Sequence, residues 1–148
     1  AGQMGNGIAQ VASTAGLNVI MSDIKIEFAE KGLANITKIL TKNVDKGKMS
    51  AEEKDAILGR IKITADLKDM ADADFVVEAA TENETLKFKI FQDLDEICRP
   101  GVILATNTSS IPIGRIAAQT GRPAAPATTA CSARIATSRS RAGRATTC

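Results

Sequence analysis

Short apolar runs alternate with helix-like stretches along most of this chain, and this alternation constrains the fold more than any other feature. The apolar runs lie at residues 18–23, 61–64, 73–80 and 102–105. Strands that are apolar on both faces and separated by helices are typical of a parallel sheet with crossover helices. We therefore predict an α/β fold built on a doubly wound parallel sheet.

The segments between these runs have the periodicity of helices. Apolar residues recur every three or four positions over residues 5–15, 27–48, 84–97 and 113–120, which predicts helices there. Ser50 followed by Glu53 fits a capping box, so a shorter helix is expected to end near Leu58. These helices supply the crossovers that a parallel sheet needs.

The composition changes abruptly near Pro123. From Arg122 to Cys148 there are five arginines and no acidic residue, and Ile135 is the only large apolar side chain after Pro123. Such a segment buries too little apolar surface to offset the entropy that ordering would cost. We predict one domain over residues 1–123 and an atypical, disordered tail over residues 124–148.

Composition argues against several classes of function. No apolar run approaches the roughly 20 residues needed to cross a bilayer, and the net charge is only +2. We therefore expect a protein that binds neither membrane nor nucleic acid. Cys98, Cys131 and Cys148 are widely spaced, which fits neither a disulfide framework nor a metal site, so we expect a cytoplasmic location. Because histidine is absent, any acid–base role near neutral pH falls to another residue.

Glycines near the start of the chain have the spacing of a nucleotide-binding turn. In the fingerprint G-x-G-x-x-G, the second glycine lets the backbone approach a pyrophosphate and the third allows close packing of helix and strand. Gly2 and Gly5 fit these two positions, and the first glycine would lie just before Ala1. Two glycines three residues apart are common, so a flexible helix start explains them as well on this evidence alone.

Asp23 strengthens the nucleotide interpretation. It ends the next predicted strand about 20 residues later, where such folds place an acid that hydrogen-bonds the adenosine ribose. Its carboxylate would repel a 2′-phosphate and so favours NAD over NADP, although Lys25 nearby weakens that preference. Asp23 could also be a solvated strand-end residue, but the order of turn, helix, strand and acid favours nucleotide binding.

Two longer motifs narrow the interpretation to one family. They are VVEAATENETLKFKIF (residues 76–91) and ILATNTSSI (residues 103–111). With these motifs, residues 1–123 resemble the NAD-binding domain of the 3-hydroxyacyl-CoA dehydrogenases. The resemblance implies a Rossmann-type sheet that lacks its first strand in this chain, with NAD as the cofactor. Because that strand is central in the fold, we expect its absence to leave two neighbouring strands unpaired.

The resemblance also implies roles for residues near the start of the chain. The family positions that match Gly2, Gln3, Met4 and Gly5 wrap the pyrophosphate of the cofactor. The position that matches Asp23 holds the ribose. The resemblance and the glycine spacing therefore lead to the same predicted cofactor site.

Further site residues are implied by the two longer motifs. Glu82 and Lys87 match family positions that lie on the cofactor. Asn107 and Ser109 match positions where the nicotinamide and the substrate meet. In open parallel sheets ligands bind at the carboxyl ends of the strands, and Glu82, Asn107 and Ser109 follow such ends.

Ser109 and Lys46 are the candidate substrate-binding residues. The hydroxyl of Ser109 could hydrogen-bond the 3-oxygen of the substrate during hydride transfer, which makes Ser109 the candidate catalytic residue. A helix-capping role is the alternative for this serine, and Ser110 could fill that role beside it. Lys46 could contact the phosphates of coenzyme A, although a solvated face explains a lysine-rich helix at least as well.

The chain also departs from the family after Pro123. The family carries its general base, a histidine, in a His-Phe-Phe-Asn-Pro motif there, followed by a helical domain that completes the acyl-CoA cleft and the homodimer. Neither motif nor histidine is present in this sequence. We therefore expect the 148-residue chain to be inactive or nearly so, and we hypothesise an out-of-frame reading from about Pro123. Translating the underlying nucleotides in the other frames tests this, because it should recover the motif.

The predicted reaction is the NAD-dependent interconversion of 3-hydroxyacyl-CoA and 3-oxoacyl-CoA. Two alternatives stay open from the sequence. The chain could be a nucleotide-binding module without catalysis, or part of another hydroxyacid dehydrogenase with the same fold.

Overall fold

A five-stranded parallel sheet organises the molecule in the computed structural model, which describes residues 1–124 and the backbone of residues 146–147. The helices are α1 (Gln3–Thr14), α2 (Ile26–Asp45), α3 (Ala51–Gly59), α4 (Glu84–Ile97) and α5 (Ile113–Ala117). The strands are β1 (Val19–Ser22), β2 (Ile61–Thr64), β3 (Phe75–Glu78), β4 (Ile103–Thr106) and β5 (Thr146–Thr147). A 3₁₀ turn, Leu67–Met70, precedes β3. The predicted α/β fold is confirmed.

The predicted elements agree closely with the observed ones. Helix α4 and strand β2 have the predicted bounds, and the predicted capping box is present at the start of α3. There the Ser50 hydroxyl accepts from the Glu53 N–H at 3.1 Å, and the Glu53 carboxylate accepts from the Ser50 N–H at 2.8 Å. Helix α2 ends before its predicted end, because Gly47 follows with a φ of +66° that continues no helix.

The sheet order is β2-β1-β5-β3-β4, and every pairing is parallel. Strands β1 and β2 pair over four residues, as do β3 and β4. Strand β5 lies between β1 and β3, with Thr147 opposite both Met21 and Val77. The doubly wound sheet is therefore built as predicted.

The expectation that two neighbouring strands stay unpaired is wrong where β5 lies, because β5 pairs with both β1 and β3. No strand precedes α1 among the described residues, but Thr146 and Thr147 supply backbone partners to both β1 and β3. Two residues satisfy only part of the facing strand edges, which span four residues each. The prediction of disorder over residues 124–148 otherwise lies outside the described residues.

Two apolar clusters form the core, one in each half of the molecule. The first half (residues 1–64) packs α1, α2 and α3 on β1 and β2 around Ala9, Val19, Met21, Ile36, Leu40, Ile57 and Ile61. The second half (residues 67–122) packs the 3₁₀ turn and α4 on β3 around Met70, Ala73, Val76, Leu94, Cys98 and Val102. Because all the strands are parallel, the carboxyl ends from both halves meet at one edge of the sheet.

Candidate functional site

A cleft of about 550 Å³ opens beside the start of α1 in the first half. Its lining residues are Ala1, Gly2, Gln3, Asn6, Asp23, Phe28, Lys31, Gly32 and Asn35. Helix α1 begins at this cleft, with Gly2 as an extended N-cap that has no side-chain cap hydrogen bond and with no acidic residue in the first turn. Backbone N–H groups at such a helix start favour a bound anion such as a phosphate. The residues present therefore fit a pyrophosphate-bearing cofactor.

Asp23 lies in the same cleft as Gly2 and Gln3, as the sequence predicts. One carboxylate oxygen accepts from the Ala1 ammonium at 2.8 Å, and the other accepts from the Ile24 N–H at 2.8 Å. The side chain keeps 21% of its exposure, so a ligand can still reach it. Met4 is exposed on α1, whereas Gly5 is buried against the core.

Gly32 shapes one wall of this cleft. A Cβ at this position would lie 2.9 Å from the carbonyl oxygen of Ala1, which is too close for any other residue without movement of the backbone. The close approach of α2 to the start of the chain therefore depends on this glycine. No sequence pattern indicates this role, because Gly32 lies inside helix α2.

Glu82 is the centre of a hydrogen-bond network in the second half. It belongs to the β3–α4 loop (residues 79–83) and accepts from three groups of the β4–α5 loop (residues 107–112). These are the Thr108 hydroxyl at 2.7 Å, the Ser110 hydroxyl at 2.9 Å and the Ser109 N–H at 3.2 Å. Glu82 and Ser109, which were both predicted to follow strand ends, are therefore in direct contact.

This network lowers the pKa of Glu82 below its ordinary value of 4.5. The Thr108 and Ser110 hydroxyls are the largest causes, because hydrogen bonds to a carboxylate favour its charged form. Ser109 and Asn107 are both exposed beside the carboxylate. The edge of the second half thus presents a fixed negative charge, an amide and a hydroxyl to solvent.

Lys87 is fully buried, whereas Glu82 and Asn107, the other predicted cofactor-binding residues of the second half, are exposed. Its ammonium donates to both carboxylate oxygens of Glu78, at 2.8 and 2.9 Å, and to the Ala80 carbonyl at 3.1 Å. Sequence reasoning missed Glu78, which it assigned to an apolar strand. The available signal was the two-residue period of β3, which places Glu78 on the same buried face as Val76.

Lys46 is separated from these groups. It follows the last residue of α2 and is exposed, whereas Asp23 lies three residues before the first residue of this 20-residue helix. A helix of that length spans roughly 30 Å. In the part of the chain that the structure describes, no hydrogen bond or ion pair joins Lys46 to another predicted site residue. Its predicted contact with coenzyme A stays a prediction.

Two kinds of feature are absent from residues 1–124 and 146–147. None of the described helices combines the length and the apolar character that a membrane span requires. The same residues contain no group of three or more histidine, cysteine, aspartate or glutamate side chains placed to hold a metal ion.

The sequence is similar to known proteins of one family. Residues 1–129 match the family model described as 3-hydroxyacyl-CoA dehydrogenase, NAD binding domain. A probable 3-hydroxybutyryl-CoA dehydrogenase of Deinococcus radiodurans is 50% identical over 124 residues, which are 84% of this chain and 44% of that protein. A probable 3-hydroxybutyryl-CoA dehydrogenase of Bacillus subtilis is 48% identical over 123 residues, 83% of this chain and 43% of that protein.

Solved structures show the same similarity. The (S)-3-hydroxybutyryl-CoA dehydrogenase PaaH1 of Ralstonia eutropha superimposes with a TM-score of 0.79 at 45% identity, over 82% of this chain and 43% of that one. The 148-residue chain thus spans less than half the length of the curated relatives that it matches.

Proposed function

The chain belongs to the 3-hydroxyacyl-CoA dehydrogenase family, and from this premise we propose that it forms the cofactor-binding part of an enzyme that interconverts 3-hydroxyacyl-CoA and 3-oxoacyl-CoA. Its cofactor is NAD, because residues 1–129 match the NAD-binding domain of the family. The observation that carries the proposal is the contact between Glu82 and the Thr108–Ser110 segment at the carboxyl edge of the sheet.

The cleft in the first half supports the adenosine and pyrophosphate part of this proposal. Gly2, Gln3, Met4 and Gly5 form the start of α1, whose N–H groups would face the pyrophosphate. Asp23 would accept hydrogen bonds from the ribose hydroxyls and would repel a 2′-phosphate, which favours NAD over NADP. Hydrogen bonds from the Ala1 ammonium and the Ile24 N–H hold the Asp23 carboxylate in this cleft.

The second half supports the reactive part. When bound, NAD would accept the hydride from carbon 3 of the substrate as the 3-hydroxyl is oxidised. The hydroxyl proton would pass to a general base, which in the family is a histidine that this sequence lacks. Ser109 would donate its hydroxyl hydrogen to the substrate 3-oxygen and stabilise charge that develops there. Glu82 holds the Ser109 N–H in place, and Asn107 lies exposed beside it for the nicotinamide. Lys87 is buried beneath this edge, so its direct contact with the cofactor would require the β3–α4 loop to shift.

Titration calorimetry of the 148-residue chain with NADH tests the cofactor site. We expect the chain to bind NADH. We expect Asp23→Ala to weaken this binding by roughly tenfold, because a hydrogen bond from a ribose hydroxyl to a charged carboxylate contributes about 1.4 kcal/mol or more. Asp55→Ala is the matched control, since Asp55 is exposed on α3 away from the cleft. No binding by the unaltered chain, or equal affinity of the Asp23 variant, would contradict the proposal.

A nucleotide-binding module without catalysis is the second candidate, and the absence of histidine from the chain favours it. A spectroscopic assay of NADH oxidation with acetoacetyl-CoA separates the two functions when the natural continuation after Pro123 is restored, because the 148-residue chain itself is expected to be nearly inactive. Turnover by the restored protein above the rate without protein supports the dehydrogenase, and NADH affinity without turnover by that protein supports the module.

The acyl-CoA substrate, a homodimer and a cytoplasmic location complete the proposal for the whole enzyme. The names of the relatives support the substrate class. Lys46 would contact the phosphates of coenzyme A, and its exposure leaves it available for that contact.

A further inference from the structure

We propose that Glu78 is a positioning residue that fixes the β3–α4 and β4–α5 loops relative to each other and so sets the geometry of the cofactor site. The part of this inference that concerns NADH affinity rests on the proposed function. Glu78 is 1% exposed, so it would act through its neighbours and would not touch the ligand.

The contacts of Glu78 reach both loops. One carboxylate oxygen accepts from the Ala80 N–H in the β3–α4 loop, and the other accepts from the Thr106 hydroxyl at 2.7 Å, at the end of β4. Asn107 is the first residue of the β4–α5 loop, and its N–H donates to the carbonyl oxygen of Glu78 at 2.8 Å. A single residue therefore holds the start of each loop.

Lys87 completes this cluster from α4. Its ammonium is 0% exposed and bridges the Glu78 carboxylate and the Ala80 carbonyl. All three ammonium hydrogens thus have acceptors, and each Glu78 oxygen accepts at least two hydrogen bonds. The carboxylate has no freedom to turn without breaking several bonds at once.

The chemistry of the cluster argues for positioning. Apolar residues of similar volume stabilise a core as well as a buried ion pair does, because removing two charges from water is costly. The pair does provide directional contacts, which apolar packing lacks. Glu82 links the same two loops at the surface, so Glu78 beneath and Glu82 above clamp the site from two sides.

Thr106→Val tests the inference with little risk to folding, because valine has nearly the shape of threonine and removes only the hydroxyl. We expect NADH to bind roughly tenfold more weakly, as for the loss of one hydrogen bond to a charged group. We also expect the Ala80 and Asn107 amide hydrogens to exchange with solvent faster, as measured by NMR. Thr106→Ser keeps the hydroxyl, so the NADH affinity and the exchange rates of both amides should stay close to those of the unaltered chain.

Thr64→Val is the matched control. Thr64 ends β2 as Thr106 ends β4, is buried, and accepts from the Asp66 N–H at 3.0 Å, outside the Glu78 cluster. We expect this variant to lose stability by a similar amount while NADH affinity and Ala80 exchange stay unchanged. A loss of affinity in the control would show that destabilisation alone explains the effect, and it would overturn the inference.

Two results separate this inference from the proposed function. Failure of the unaltered chain to bind NADH would refute the proposed function, while amide exchange in Thr106→Val would still report whether Glu78 holds the loops. Unchanged Ala80 and Asn107 exchange in that variant would overturn the positioning role, whatever the affinity. Glu78→Gln is a second variant. We expect it to increase the exchange rates of the Ala80 and Asn107 amide hydrogens more than Thr106→Val does. Unchanged exchange rates in this variant would also overturn the positioning role.

Discussion

The two halves of the molecule meet at one sheet edge but are held together differently. The first half has an apolar core around Met21, Ile36 and Leu40, and Asp23, the acid predicted to bind the ribose, lies outside that core. The second half buries an ion pair, Glu78 and Lys87, beneath the β3–α4 and β4–α5 loops. Apolar packing with a few surface contacts such as Asp23 to Ala1 therefore surrounds the cleft of the first half, whereas buried directional bonds join the two loops of the second half.

The largest expected effect comes from breaking the buried pair with Lys87→Met. This change leaves the buried Glu78 carboxylate without its cation, which costs about 3–5 kcal/mol in the free energy of unfolding. Urea denaturation followed by circular dichroism measures it. The control is Lys89→Met on the same helix. The Lys89 side chain is 72% exposed and pairs with Asp93 at 3.4 Å, so this pair should contribute less than about 1 kcal/mol.

A double variant sharpens this prediction. Glu78→Leu combined with Lys87→Met removes both charges, so most of the lost stability should return. If Lys87→Met unfolds at the same urea concentration as Lys89→Met, the second half does not depend on the ion pair, and the contrast between the two halves fails.

The next effect tests the apolar core of the first half. Ile36→Ala should lower the free energy of unfolding by about 2–5 kcal/mol, because Ile36 is fully buried and the change leaves a cavity. Ile39→Ala, one turn along α2 and 43% exposed, is the control and should cost much less. Equal losses from the two variants in a urea titration would contradict the assigned core.

The smallest effect is the pH dependence of the β4–α5 loop. Hydrogen bonds hold the pKa of Glu82 below 4.5 in the folded protein, so the contribution of Glu82 to stability is complete at pH values above its pKa in the unfolded chain. That contribution is lost as the pH falls through the lower pKa that Glu82 has in the folded protein. We expect the Ser109 amide to stay protected at pH 4.5 and to become exposed only in more acidic solution, as NMR hydrogen exchange would show.

Glu82→Gln provides the control for this pH dependence, because the amide does not titrate over that range. The variant should show no acid-dependent change at Ser109. Release of the Ser109 amide in the unaltered protein at or above pH 4.5 would mean that the hydroxyls of Thr108 and Ser110 do not stabilise the carboxylate.

Sequence patterns predicted most of the fold because those patterns are local. The bounds of α4 and β2 and the Ser50 capping box depend on residues close together in the chain. Glu82 and Ser109 were predicted on the same edge because each follows a parallel strand. Their direct contact was not predicted, since 27 positions separate them.

Glu78 and β5 were missed for a related reason. Glu78 is a charged residue in an apolar strand, and only its contacts with Lys87 and Thr106 make its burial favourable. Strand β5 has two threonines in a polar segment, which carry no periodicity that would indicate a strand.

The sequence by itself determined the order of strands and helices, the parallel sheet and the family, because apolar periodicity and short motifs are properties of neighbouring residues. Only the tertiary structure decided which glutamate is buried and which faces solvent, and what lies between β1 and β3. Those outcomes depend on contacts between distant residues, where burial, charge and hydrogen bonding must be satisfied together.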